Sequence, residues 1–123
     1  MTESEEQKAI VLTLPCPPTA NTYYRHVGHR VLISSEGRSY KRTVEARCWL
    51  AKVRPISGAV ALEIHWYRPA KRGDVDNILK PLLDALKDHA FGDDATVARL
   101  VAERHDTDRK NPRVEVTISP LLR

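Results

Sequence analysis

The chain has 123 residues, 41% hydrophobic and 29% charged, with a formal net charge of +4. That size corresponds to about one domain, and the balance is ordinary for a globular protein, which excludes a collagen, a disordered tail and a multidomain enzyme. No run of about 18 apolar residues occurs, which excludes a membrane-spanning helix, and the acidic opening MTESEEQK lacks the apolar stretch of a secretory signal, so a cytoplasmic protein is expected.

Residues 1–8 read as a disordered polar leader and 9–123 as a single domain. Residues 9–14 (AIVLTL) predict a first strand, ended by Pro15, Pro17 and Pro18. Residues 15–29 read as a long loop, and 30–34 (RVLIS) as a second strand. Ser35 is placed to cap a helix over 36–53, where Tyr40, Val44, Cys48 and Ala51 recur at three- and four-residue steps. Residues 59–67 alternate, with Val60, Leu62, Ile64 and Trp66 on one face and Glu63, His65 and Tyr67 on the other, as in a half-buried strand.

A second helix is predicted over 77–90 from the stripe Ile78, Leu79, Leu82, Leu83, Leu86 and Ala90. Pro81 conflicts with it, since proline removes an N–H and disfavours the α conformation at Lys80; either the helix begins near 79 or its first turn is distorted. Residues 96–103 and 113–119 predict two last strands. The order ββαβαββ implies an α/β chain of the α+β type, a single mixed β-sheet of about five strands with two main helices.

Cys16 and Cys48 have no metal-type spacing and read as free thiols. His26, His29, His65, His89 and His105 are scattered, none in a metal spacing with cysteine. Charge is segregated: residues 21–55 carry a net +6, whereas 74–94 carry six aspartates against Lys80 and Lys87. Two solvated faces would give that pattern; so would a metal-dependent nuclease, whose bases hold phosphates and whose acids hold cations.

Asp74 and Asp76 are two apart at a strand end, where an extended chain points both carboxylates to one side. Two such carboxylates repel, and a divalent cation removes the penalty; oxygen-only ligands favour magnesium or manganese. For Asp94 to join them, the strand from Thr96 must lie beside the one ending at Tyr67 and run in a direction that allows it. The plainer alternatives are a helix cap for Asp76, a turn for Asp93–Asp94 and a surface ion pair for Lys80. Asp106 and Asp108, a second D-x-D, read as a turn before Asn111-Pro112, and Asp84 and Asp88 as solvent-facing.

The segments LPCPPTANTYYRH (14–26), ISSEGRSYKRTV (33–44) and GDVDNILKPLLDALKDHAFGDDATV (73–97) together resemble the RusA family of Holliday-junction resolvases, in family order. The resemblance implies a homodimeric, Mg2+-dependent endonuclease that cuts four-way junction DNA, with no organic cofactor, no membrane partner and Mn2+ as a substitute metal. It maps the metal ligands onto Asp74, Asp76 and Asp94, and the essential lysine onto Lys80. The turn before Asp93–Asp94 is one residue shorter than the family's best-known form; the second aspartate of the pair is the one the family uses.

The mechanism so implied is in-line attack of a metal-activated water on the phosphate, leaving 5′-phosphate and 3′-hydroxyl ends, with paired symmetric nicks from a two-fold dimer. The expected DNA contacts are Arg68, Lys71, Arg72 and Asn77 beside the cut and Arg25, His26, Arg38, Lys41 and Arg42 on the arms. Tyr23 or Tyr24 would stack on an unpaired base, unless they pack in the core. A non-cleaving binder of branched DNA and a broader flap or fork nuclease are the rival functions.

Overall fold

A computed structural model describes residues 9–93 and 96–121; the leader at 1–8 lies outside them. Strand β1 (Ile10–Leu14) turns Leu12 and Leu14 inward and stops at the prolines. A single helical turn, α1 (Ala20–Tyr23), leads into β2 (Tyr24–Val27), which pairs antiparallel with β3 (Arg30–Ile33) around Gly28 at φ 60°. Helix α2 (Ser35–Leu50) follows, then β4 (Val60–Tyr67), α3 (Asp76–Leu86), β5 (Val97–His105) and β6 (Arg113–Pro120).

Four strands form the main sheet in the order β1-β6-β4-β5. Strand β6 pairs antiparallel with both β1 and β4, while β4 and β5 are parallel. A parallel pair requires a crossover, and α3 supplies it. The mixed α+β class therefore holds, but the five-strand sheet does not. The strand expected at 30–34 closes a separate two-stranded hairpin, because 24–27, read as loop, is its partner. Its Val31 is 58% exposed, so this segment was never a core strand.

Helices α2 and α3 cover one face of the sheet. Val60, Leu62, Ile64, Val114, Val116 and Ile118 meet Val44, Ile78, Leu82 and Leu86 there. The opposite face, with Glu63, His65, Tyr67, Glu103 and His105, has no helix over it among the described residues.

Local chemistry shifts both helix ends from their expected places. Ser34, not Ser35, caps α2: its hydroxyl accepts the Gly37 N–H at 3.0 Å. The helix stops at Leu50 because Lys52 turns left-handed (φ 57°), with Lys52 N–H on the Trp49 carbonyl and Val53 N–H on that of Cys48, the double bond of a Schellman end. Helix α3 ends at Leu86, four residues early: Lys87 is extended and Asp88 takes φ 71°. The following turn buries Ala90 and Phe91 and ties the Ala90 carbonyl to Ile56 N–H. Pro81 sits inside α3, so the helix starts before it, and its first turn is tight, closed by i to i+3 bonds from Asn77 and Ile78. Both cysteines are free, and burial pushes each thiol's pKa up.

Side-chain contacts fix α1 and α2 against the rest. The Tyr23 hydroxyl donates to Asp84 Oδ2 at 2.6 Å, and Lys41 Nζ stands 3.6 Å from the same oxygen. Asp84 is thus not the solvent-facing residue expected from its place on the helix. The Tyr40 hydroxyl donates to the Pro15 carbonyl at 2.7 Å. Burial raises both phenol pKa values well above the ordinary range, and for Tyr23 the Asp84 bond raises it further.

Two outcomes follow from this packing. A Cβ on Gly37 would lie 2.6 Å from both Ile33 Cγ2 and the Tyr23 carbonyl oxygen; Gly37→Ala should therefore cost roughly 1–3 kcal/mol in urea unfolding, despite alanine's better helix propensity. Because the folded phenol pKa values are raised, their stabilisation is complete below the unfolded value of about 10 and is lost as pH rises beyond it. The urea midpoint should fall on that alkaline side, and Tyr23→Phe should flatten part of the fall.

Candidate active site

The segment between β4 and α3 is pinned by two arginines. Arg68, 8% exposed, donates Nε to the His105 carbonyl at 3.1 Å and Nη1 to the Lys71 carbonyl at 2.7 Å. Its own carbonyl accepts the Asp108 N–H at 2.8 Å. Arg104 Nη1 donates to the Gly73 carbonyl at 3.0 Å. Gly73 takes φ 105° with its α-carbon against the Trp66 indole; a Cβ there would lie 3.0 Å from Trp66 Cη2. The chain is thereby held immediately before Asp74.

Val75 is in the right-handed helical region (φ −62°, ψ −32°) and is itself the residue that opens α3. The extended i, i+2 geometry expected for Asp74 and Asp76 is therefore replaced by a tight turn, in which the Asp74 carbonyl accepts the Asn77 N–H at 3.1 Å. Asp76 is not the cap; it is the first helical residue, where its charge complements the helix N-terminus. Asp74, Asp76, Asn77 and Lys80 are all exposed. Among the described residues, neither carboxylate has a hydrogen-bond or ion-pair partner, so the Asp76–Lys80 surface pair is not formed. Lys80 Nζ lies 6.0 Å from the Tyr24 ring centroid. Pro81 lacks the N–H that would bond the Asn77 carbonyl, so one helical acceptor beside Asp76 has no helical donor. Two unpaired carboxylates on a rigid turn are a donor set of hard oxygens, which suits Mg2+ or Mn2+.

Asp94 lies outside the described residues. The carbonyl of its neighbour Asp93 accepts both the N–H and the Oγ1 hydroxyl of Thr96, at 2.9 and 2.6 Å. Val97 then pairs with Val60, at the start of β4, whereas Gly73 is tied to Arg104, the partner of Trp66 near its end. Six strand residues, roughly 20 Å by strand rise, separate the two levels. A parallel strand starts where its partner starts, so this topology keeps Asp93 and the Asp74 turn at opposite ends of one chain.

The basic residues divide by environment. Arg25 and His26 are exposed on the β2–β3 hairpin. Arg38, Lys41 and Arg42 line a groove of about 570 Å³ with Leu32 and Ile33. Within it, Arg38 Nη1 donates to the Ile33 carbonyl at 2.8 Å. Lys71 and Arg72 are exposed on the pinned loop, and Lys71 shares a cleft with Arg104 and Asp106.

Two expected DNA contacts stand elsewhere. Tyr23 is fully buried with its hydroxyl on Asp84, so it cannot stack on a base; Tyr24, half-buried, packs edge-on against it at 4.8 Å. Arg68 directs its guanidinium into backbone carbonyls, which makes it a positioning residue for the loop. Asp108 behaves as a turn residue, accepting from Asn111 N–H and Arg113 Nη1.

One constellation escaped the sequence. His65, Glu103 and His105 converge on the open face of the sheet. The two histidines are 40 residues apart and meet only through the β4–β5 register, which no local spacing reports.

With this geometry in place, likeness to known proteins is informative. The family model for endodeoxyribonuclease RusA matches residues 15–119. The crossover junction endodeoxyribonuclease of Enterobacteria phage 82 is 37% identical over 114 residues, covering 89% of this chain and 93% of that protein. The enzyme of that name from Escherichia coli is 36% identical with the same coverage. That of Shigella sonnei is 34% identical over 113 residues, again covering 89% of this chain and 93% of the relative. The match runs from the proline loop through the pinned turn and α3 to the end of β6, and the chain belongs to the RusA endodeoxyribonuclease family.

Proposed function

We propose that this protein is a Mg2+-dependent, structure-selective endonuclease that resolves four-way DNA junctions by paired nicks as a homodimer in the cytoplasm. The observation that carries the reading is the pair of exposed carboxylates of Asp74 and Asp76 on a pinned turn, without a partner among the described residues, in a chain whose family relatives are named crossover junction endodeoxyribonucleases. No helix among the described residues is long and apolar enough to cross a membrane.

Asp74, Asp76 and one aspartate of the 93–94 pair would hold the cation, with Asp94 as the favoured member. When bound, Mg2+ supplies a Lewis acid for the phosphate oxygen and an activated water, and Mn2+ can replace it. Lys80, one turn along α3, stabilises charge building on the phosphate. Asn77 and the exposed Lys71 and Arg72 orient the strand beside the cut, whose products carry 5′-phosphate and 3′-hydroxyl ends. Arg25, His26, Arg38, Lys41 and Arg42 hold the arms, Lys41 by leaving its ion pair with Asp84. Tyr24 is the aromatic residue left for an unpaired base.

The placement of the two acidic turns supports the dimer. Asp93 and the Asp74–Asp76 turn lie at opposite ends of β4 in one chain, so a site uniting the two acidic pairs draws Asp74 and Asp76 from one subunit and the aspartate at 93 or 94 from its partner. A two-fold pair of such sites matches the near two-fold symmetry of the junction.

Asp76→Asn should lower junction cleavage by at least roughly 10²-fold, the scale of losing a charge-stabilising group, while gel-shift affinity in Ca2+ survives. Unchanged cutting would remove Asp76 from the site. Mixing Asp76→Asn subunits with Asp94→Asn subunits distinguishes the shared site from a site within one chain. A shared site regains nicking on mixing, because one of the two sites in a mixed dimer carries neither change; a site within one chain stays inactive.

A further inference from the structure

We propose that the open face of the sheet carries a second metal site, for a divalent cation of the zinc type, held by His65, Glu103 and His105. This site is independent of the Asp74–Asp76 turn and of the cleavage reading. In the parallel register, His65 stands opposite Glu103 and Tyr67 opposite His105, so all three donors rise from one face at neighbouring positions. His65 Nδ1 lies 2.8 Å from His105 Nε2 and 3.4 Å from Glu103 Oε1, and His105 Nε2 is 3.7 Å from the same oxygen. Donors about 2.05 Å from a tetrahedral centre stand about 3.3 Å apart. The two contacts to the carboxylate are close to that spacing and the imidazole pair would open by about 0.5 Å, so the three atoms approximate one face of a tetrahedral coordination shell.

The surroundings fix this arrangement. His65 Nε2 faces Glu63 Oε2 at 2.7 Å. A ring proton on Nε2 satisfies that carboxylate and frees the Nδ1 lone pair for a cation, the carboxylate–histidine–metal pattern of bound metals. The His105 ring stacks on Tyr67 at 4.4 Å, with 8° between planes, and the Arg113 guanidinium covers the far side of Tyr67 at 4.0 Å. Arg113 is itself paired with Glu115 and Asp108, so its charge is balanced close by.

Without a cation, the 2.8 Å contact joins only the two rings. Glu103, 61% exposed and able to turn into water, stands 3.4 Å from His65 Nδ1 with no partner common to all three groups. A cation gives all three donors a common partner. Two imidazoles and one carboxylate suit Zn2+, Co2+, Ni2+ or Cu2+, in contrast to the all-oxygen set that suits Mg2+.

The test is titration of the untagged full chain, freed of metal with a chelator, with Co2+. One equivalent per chain should give the intense visible absorption of tetrahedral cobalt, which Zn2+ abolishes and excess Mg2+ does not. His105→Gln and Glu103→Gln should each remove that signal, and Glu63→Gln should weaken binding by about 10- to 100-fold. Zn2+ should raise the melting temperature of the wild type and not of Glu103→Gln, an exposed position whose change leaves the fold intact. Absence of the tetrahedral signal in the wild type, its persistence in both ligand variants, or its loss in Asp76→Asn would overturn the proposal.

Discussion

The parallel pairing of β4 with β5 is the constraint on which the rest of the molecule depends. A parallel neighbour cannot be reached by a hairpin, so the chain must cross the sheet, and α3 is that crossing. Helix α3 begins where β4 ends and finishes where β5 begins. Its N-terminal end therefore carries Asp76 and Lys80 at one edge of the domain, and its C-terminal turn leads to Asp93 at the other. The same pairing sets His65 beside Glu103 and Tyr67 beside His105 on the uncovered face. One register thus determines the separation of the acidic turns and the convergence of the histidines.

Arginine contributes to this chain in two different ways. Arg68 and Arg104 turn inward to backbone carbonyls and hold the loop before Asp74, using the fork of donors that makes arginine a rigid brace. Arg25, Arg42 and Arg72 remain exposed, where a polyanion can reach them. The carboxylates on the pinned turn face the opposite problem. Exposed acids repel a DNA backbone unless a cation screens them, which is the part the proposed cation would play on an acidic turn flanked by Lys71 and Arg72.

Much of the fold was legible in the sequence because its signals were local. The alternation over 59–67 and the stripe from Ile78 to Leu86 mark β4 and α3 directly, and both bury the faces they advertise. What escaped depended on partners distant in sequence or on single backbone angles. The hairpin at 24–33 was half missed because Tyr24–Val27 shows no alternation and finds its identity only in β3. The early end of α3 rests on Asp88 in a left-handed conformation, which an aspartate tolerates but does not signal. The same limit applies to the candidate site. The motif singled out Asp74, Asp76 and Lys80 as candidates, but which neighbours were structural was hidden: Tyr23 and Arg68 look like surface ligands until their partners, Asp84 and the His105 carbonyl, are in view.

On the proposed function, the carboxylate turn cuts branched DNA with a divalent cation. End-labelled four-way junctions and linear duplexes of the same sequence, incubated with the wild-type chain in Mg2+ or EDTA and mapped at nucleotide resolution, test it most directly. Symmetrically placed nicks on opposing strands of the junction, dependent on Mg2+ and religatable, are the expected result. Binding without cutting in any divalent cation, or equal cutting of linear duplex, would contradict it: the first would leave a branched-DNA binder, the second a nuclease without structural selectivity.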